Sequence, residues 1–221
     1  MQEISWKENL RVAWFGSFLT GASISLVVPF MPIFVEQLGI EGDQVAFYAG
    51  LAISVSAVSA ALVSPIWGIL ADKYGRKPMM IRAGLAMTIT MGGLAFVPNI
   101  YWLLFLRLLN GVFTGFVPNA TALIASQVPK DKSGAALGTL STGVVAGTLT
   151  GPFVGGFIAE IFGIRNVFLL VGAFLFLAAI LTIFFIKEDF QPVAKEKAIP
   201  TKEVFSSFKY PRLLVNLFLT S

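Results

Sequence analysis

Between residues 100 and 128 a single charged side chain, Arg107, interrupts an otherwise uncharged stretch. An arginine at membrane depth costs at least about 2.5 kcal/mol on insertion scales, so it needs a partner or water and is a functional candidate by default. Arg107 lies five residues past Trp102, or ~8 Å deeper along a helix. At ~100° per residue, Arg107, Asn110, Gly111, Thr114, Pro118 and Thr121 share one face, which predicts a polar stripe turned away from lipid. Snorkelling of Arg107 to the outer interface is the competing arrangement. A second charged group is Asp72, Lys73, Arg76 and Lys77, bracketed by Gly68 and Gly75. Asp72 there either pairs with Arg76 across a turn or faces the positive N-terminal end of another helix. The chain has no Cys and no His. That excludes disulfides, thiol nucleophiles, His-based metal sites and His proton relays, and no cofactor is expected.

The elements that must position these groups follow from composition. Hydrophobic residues make up 56% of the chain and charged ones 13%, far below the roughly 25% of a soluble domain. The chain is therefore expected to be all-α and integral to a membrane. About 20 apolar residues cross a ~30 Å core, and six runs qualify: 12–35, 45–71, 78–97, 100–128, 133–159 and 166–186. The net charge of +4 does not indicate nucleic acid, because the basic residues sit in short turns rather than on one folded face. With the N-terminus inside, 14 of the 16 basic residues fall on the cytoplasmic side, as the positive-inside rule requires. The expected domains are a six-helix unit over 1–186, a cytoplasmic linker over 187–210 and, over 211–221, the truncated start of a seventh span.

An internal repeat orders these spans. Pro65, Gly68, Asp72 and Gly75 recur as Pro152, Gly155, Glu160 and Gly163, and Gly21 and Pro29 recur roughly as Gly111 and Pro118. Each unit holds three spans, so the second unit lies upside down relative to the first, the arrangement by which secondary transporters build a midplane site. In the fifth span Ala135, Thr139, Gly143, Gly147, Gly151, Gly155 and Ala159 recur every four residues and predict a groove for a close helix neighbour. The second span repeats the device with Ala52, Ser56, Ala60, Ser64 and Gly68. Pro152 should kink the fifth span near Thr148. In the first span Ser17, Gly21 and Ser25 lie near one face and, with Thr114 and Thr121, are candidates for lining a substrate cavity.

The loop Gly68-x-x-x-Asp72-x-x-Gly75-Arg76-Lys77 resembles the signature between the second and third helices of major facilitator superfamily transporters. Leu103-x-x-x-Arg107-x-x-Asn110-Gly111 partly resembles the family's fourth-helix motif, with Asn110 where glutamine is usual and Phe113 where a small residue is usual. Gly147-x-x-x-Gly151-Pro152-x-x-Gly155-Gly156 resembles the fifth-helix signature of its antiporters. The resemblance implies the N-terminal six-helix half of a twelve-helix drug:proton antiporter in the plasma membrane. Its substrates would be hydrophobic drugs or dyes, fluoroquinolones among them, and its partners protons, the bilayer and a missing C-terminal half. It also implies a conformational switch at Gly68, Asp72, Gly75, Arg76 and Lys77, and proton coupling at Arg107, Asn110 and Gly111. A metabolite exporter on the same fold and a membrane scaffold are the alternatives. An enzyme would need clustered nucleophiles or acid/base groups, and the sequence shows none.

Overall fold

The computed structural model describes residues 5–190. The expected linker beyond Phe190 and the expected seventh span over 211–221 lie outside the described residues. Seven α-helices follow in order: α1 (Trp6–Gln37), α2 (Gln44–Tyr74), α3 (Arg76–Gly93), α4 (Ile100–Phe113), α5 (Phe116–Gln127), α6 (Ser133–Phe162) and α7 (Ile164–Phe185). A short 3₁₀ turn, Leu94–Phe96, extends α3, and α4 with α5 forms one broken span. Among the described residues six spans are thus long and apolar enough to cross a membrane, at the positions read from hydropathy. Large side chains such as Leu62, Ile89, Phe153 and Phe184 are at least 70% exposed, as helices turned toward lipid require.

Two of the turns are single glycines. Gly75 joins α2 to α3 with φ 98° and ψ 163°, and Gly163 joins α6 to α7 with φ 86° and ψ 161°. This left-handed backbone is available to glycine without the clash a Cβ would bring. The two lie 88 positions apart and adopt nearly the same conformation, which is the repeat expressed in the backbone.

Packing follows the same repeat. The most extensive helix pairings are α1 with α6, α3 with α7, α1 with α7 and, between α2 and the fourth span, α2 with α4. Inverting the repeat exchanges spans one and four and spans two and five, so the α1–α6 seam and the α2–α4 seam are counterparts. Glycines mark both. A Cβ on Gly21 would stand 2.6 Å from the Val144 carbonyl oxygen, and one on Gly111 would collide with the Ser56 carbonyl. Ser56 and Val144 are again 88 positions apart. Two apolar clusters fill the bundle. One is built around Leu26, Met31, Phe34, Leu103 and Phe168. The other is built around Leu19, Met80, Phe116, Leu123 and Leu140.

Candidate functional site

Arg107 points inward: it is 6% exposed. Its Nε donates to the Ala52 carbonyl at 3.0 Å, and Nη1 lies 3.7 Å from the Met91 sulfur. Burial rather than snorkelling is the observed arrangement. The helix beneath it is held to α2 by the Ser56 hydroxyl, which donates to the Arg107 carbonyl at 2.5 Å, and by Ser59, which donates to Leu108 O at 3.1 Å. Asn110 is also buried, its Oδ1 accepting from the Thr90 hydroxyl at 3.1 Å. Ser59 and Thr90, which hydropathy gave no reason to single out, are thus what fix α4 in rotation.

The polar stripe does not continue as expected. After Phe113 the helix breaks at Thr114 and Gly115, the latter with φ 135°, and restarts at Phe116. The break resets the helical phase. Thr121, placed on the Arg107 face by periodicity, is instead on the exposed surface and bonds within its own turn to the Val117 carbonyl. Freed backbone groups at membrane depth must be satisfied by protein. Trp67 Nε1 donates to the Val112 carbonyl at 2.6 Å, and Arg82 Nη2 donates to the Thr114 carbonyl at 3.3 Å. The two caps hold each other, the Arg82 guanidinium lying 3.4 Å from the Trp67 ring centroid. Such stacking is a cation–π contact.

Two adjoining cavities open along this face and share Ala60 and Thr114 in their walls. One, of about 220 Å³, is lined by Ile24, Val28, Ile53, Met91 and Arg107 among others. The other, of about 360 Å³, lies against Ser64, Trp67, Gly68, Arg76, Gly115, Pro118 and Asn119. Of the first-span candidates, Ser17 and Gly21 are buried away from both cavities, and Ser25 is half-buried and lines neither. Thr114 is the candidate that lines them.

The small-residue groove of the fifth span is closed, and its partner is α1. A Cβ on Gly143 would come within 2.7 Å of the Trp14 carbonyl oxygen, and one on Gly151 within 2.7 Å of that of Ala22. Gly147 abuts the backbone of Phe18 and Ala22, and Gly155 the side chains of Leu26 and Phe30. The buried line runs through Ala136, Leu140 and these glycines; Ala135 and Thr139 fall outside it, and a Cβ on Gly156 would meet nothing within 4 Å. Pro152 cannot donate to the Thr148 carbonyl, and the Ser25 hydroxyl of α1 does so instead at 2.7 Å. On α2 only the half carrying Ala52 and Ser56 is packed in this way, and Gly68 meets no neighbour.

At the signature loop Asp72, in the last turn of α2, pairs across the turn with Arg76, the first residue of α3, and is itself 57% exposed. The N-terminus of α3 is occupied by a different carboxylate. Glu188, just past α7, accepts from the N–H groups of Arg76 and Lys77 at 2.8 and 2.7 Å. Its neighbour Lys187 is bound through its backbone: Asn9 Oδ1 accepts from its N–H at 2.9 Å, and its carbonyl accepts from Asn9 Nδ2 at 2.6 Å and Gln127 Nε2 at 3.0 Å. Sequence reading missed this clasp because nothing local marks Glu188 as a cap for a helix more than a hundred residues earlier.

Comparison with known proteins decides the family. The model of the Major Facilitator Superfamily matches residues 13–221. The chain belongs to that superfamily of transporters. It is 88% identical over all 221 residues to the multi-drug resistance efflux pump PmrA of Streptococcus pneumoniae, covering 55% of that protein. It is 51% identical over 218 residues to the multidrug resistance protein MdtG of Proteus mirabilis, with 98% of this chain and 54% of that protein covered. The chain thus spans about half the length of these curated relatives. Among solved structures, the human organic anion transporter MFSD10 (TETRAN) superposes with a TM-score of 0.78 at 17% identity, covering 92% of this chain and 53% of that one. At that identity the likeness concerns the fold.

Proposed function

We propose that this chain is the N-terminal six-helix half of a multidrug efflux transporter that exports hydrophobic drugs or dyes in exchange for protons by alternating access. The observation that carries the reading is a permanent cation, Arg107, buried against a cavity beside a broken membrane helix. Discontinuous spans around a midplane cavity are how secondary transporters expose polar groups to substrate and coupling ion. The likeness along the whole chain to multidrug efflux pumps supports the same reading. A cytoplasmic N-terminus in the plasma membrane is part of the proposal, its orientation supported by the basic residues that the sequence concentrates in the segments on one side of the spans. No carboxylate lies at membrane depth among the described residues. Arg107 therefore tunes proton transfer in this proposal, and the proton carrier sits elsewhere in the transporter.

In the same proposal Asp72, Arg76 and Lys77, with Gly68 and Gly75, form a switch whose contacts with the remaining half differ between inward- and outward-facing states. The test is efflux of a lipophilic dye or a fluoroquinolone from cells or proteoliposomes carrying the full-length transporter, with an imposed proton gradient. Dye extrusion that stops when the gradient is collapsed is expected. A metabolite exporter would leave dye and drug unmoved under the same gradient.

A further inference from the structure

The polar inventory of the bundle interior is unbalanced. Among the described residues its charged side chains are Arg82 and Arg107, and every carboxylate sits at a helix end or in a loop. The Arg107 guanidinium places Nε on a carbonyl and Nη1 on a thioether, a weak acceptor, and Nη2 has no hydrogen-bond partner among the described residues. A buried cation with spare donors is costly unless an anion or water completes it. The side chain forms part of the wall of the cavity of about 220 Å³, where the apolar Ile24, Val28, Ile53 and Met91 meet the polar Ser56, Asn110 and Thr114. Two further features raise the positive potential at one edge of that cavity. Thr114, on its wall, lies two residues before the broken span restarts at Phe116, and the first-turn N–H groups of the 12-residue α5 have no acceptors of their own within the helix. Beside it Arg82 keeps buried Nε and Nη1 atoms without a partner.

We propose that this cavity receives the carboxylate of an amphipathic small molecule, with the Arg107 fork on the carboxylate and the aliphatic and methionine walls on the apolar body. Planar guanidinium and planar carboxylate match in a way that a neutral amide does not. The inference deepens the transport reading above and rests on it for the cavity's being a substrate site. The same chemistry could be supplied by a carboxylate side chain of the transporter itself, and the experiment separates the two sources.

Binding of 1-naphthylacetate and of 1-naphthylacetamide, near-identical in shape, is measured on the full-length transporter in nanodiscs by equilibrium dialysis. The wild type is expected to hold the acid at least tenfold more tightly than the amide, a difference of about 1.4 kcal/mol. R107Q should equalise the two, R107K should keep part of the preference, and Ile53→Trp, which fills the cavity from its α2 wall, should weaken both. Equal affinities in the wild type overturn the proposal, and are what a resident carboxylate of the transporter on the Arg107 fork would produce. An acid preference that survives R107Q, or binding untouched by Ile53→Trp, overturns it as well. The wild-type acid/amide comparison needs no arginine variant to fold. Dye efflux without acid preference sinks this inference alone, and acid preference without efflux sinks the transport reading alone.

Discussion

The two seams that the repeat makes equivalent have been built in opposite ways. Between α1 and α6, Gly21, Gly143, Gly147 and Gly151 bring backbone onto backbone. Between α2 and the fourth span, Gly111 closes on Ser56 and Ser59, but one cavity opens alongside that stretch and another where the span breaks. One seam is continuous; the other carries the buried charge. Glycine seams give van der Waals contact where no hydrophobic drive exists between helices, so the first acts as a fixed frame. The second spends its small residues on space, and space beside a cation is where chemistry can occur.

The sharpest way to break this contrast is a bulky residue in each seam. Gly151→Leu, with its Cβ already 2.7 Å from the Ala22 carbonyl oxygen, must push α1 and α6 apart. We predict a fall in dye efflux of about tenfold or more and a lower melting temperature, overpacking costing about 1–3 kcal/mol even without backbone collision. Ala60→Leu, which projects into the shared wall of the cavities, is expected to keep the melting temperature while altering transport. Equal thermal loss in both variants would erase the distinction between the seams.

Next in size is Arg107→Ala. Gradient-driven efflux should disappear while insertion and expression persist, and unchanged efflux would show that the buried charge is spectator to the cycle. A smaller effect is expected where one side-chain donor replaces a missing helix bond. Ser25→Ala strands the Thr148 carbonyl opposite Pro152, and Trp67→Phe strands the Val112 carbonyl at the break. Each should cost about 1 kcal/mol, the scale of interhelical hydrogen bonds in membranes, measured by thermal shift in detergent. Ser25→Ala should leave transport near wild type and Trp67→Phe should not, because only the second cap borders a cavity; the reverse pattern would refute the assignment. The smallest effect is that of Asp72→Asn. Its carboxylate is largely exposed, so turnover should slow about two- to fivefold, the rate equivalent of a helix-terminus charge contact, with drug affinity retained. Lost affinity at unchanged turnover would contradict the switch role.

What could be read from residues alone divides along the same line. Spans, turns and the repeat were legible because hydropathy runs and paired glycines are local signals. The glycine line of the fifth span announced a neighbour without saying which, and α1 proved to be that neighbour. Arg107 was legible as a lone charge in an apolar run. The break at Thr114–Gly115 was not: hydropathy is uninterrupted through it, and its capping groups, Trp67 and Arg82, come from 45 and 32 residues away. Extending a constant 100° per residue across an unseen break is why Thr121 was expected beside the buried Arg107, whereas it is exposed. Glu188 was invisible for the same reason, being defined by a helix start 112 positions earlier.

The Ser25–Thr148 bond, which joins residues 123 positions apart, also bears on how the bundle is born. The α2–α4 seam closes over separations of about 50 residues, whereas the glycine face of α1 has nothing to lie against until α6 has left the ribosome. During synthesis α1 must therefore wait in the bilayer or in the insertion machinery with its backbone uncovered, and the rigid seam is the late one. Because the chain has no native cysteine, a pair introduced at 22 and 151 in arrested nascent chains can time the event: cross-linking should first appear once α6 is exposed, and appearance with shorter chains would reverse the order.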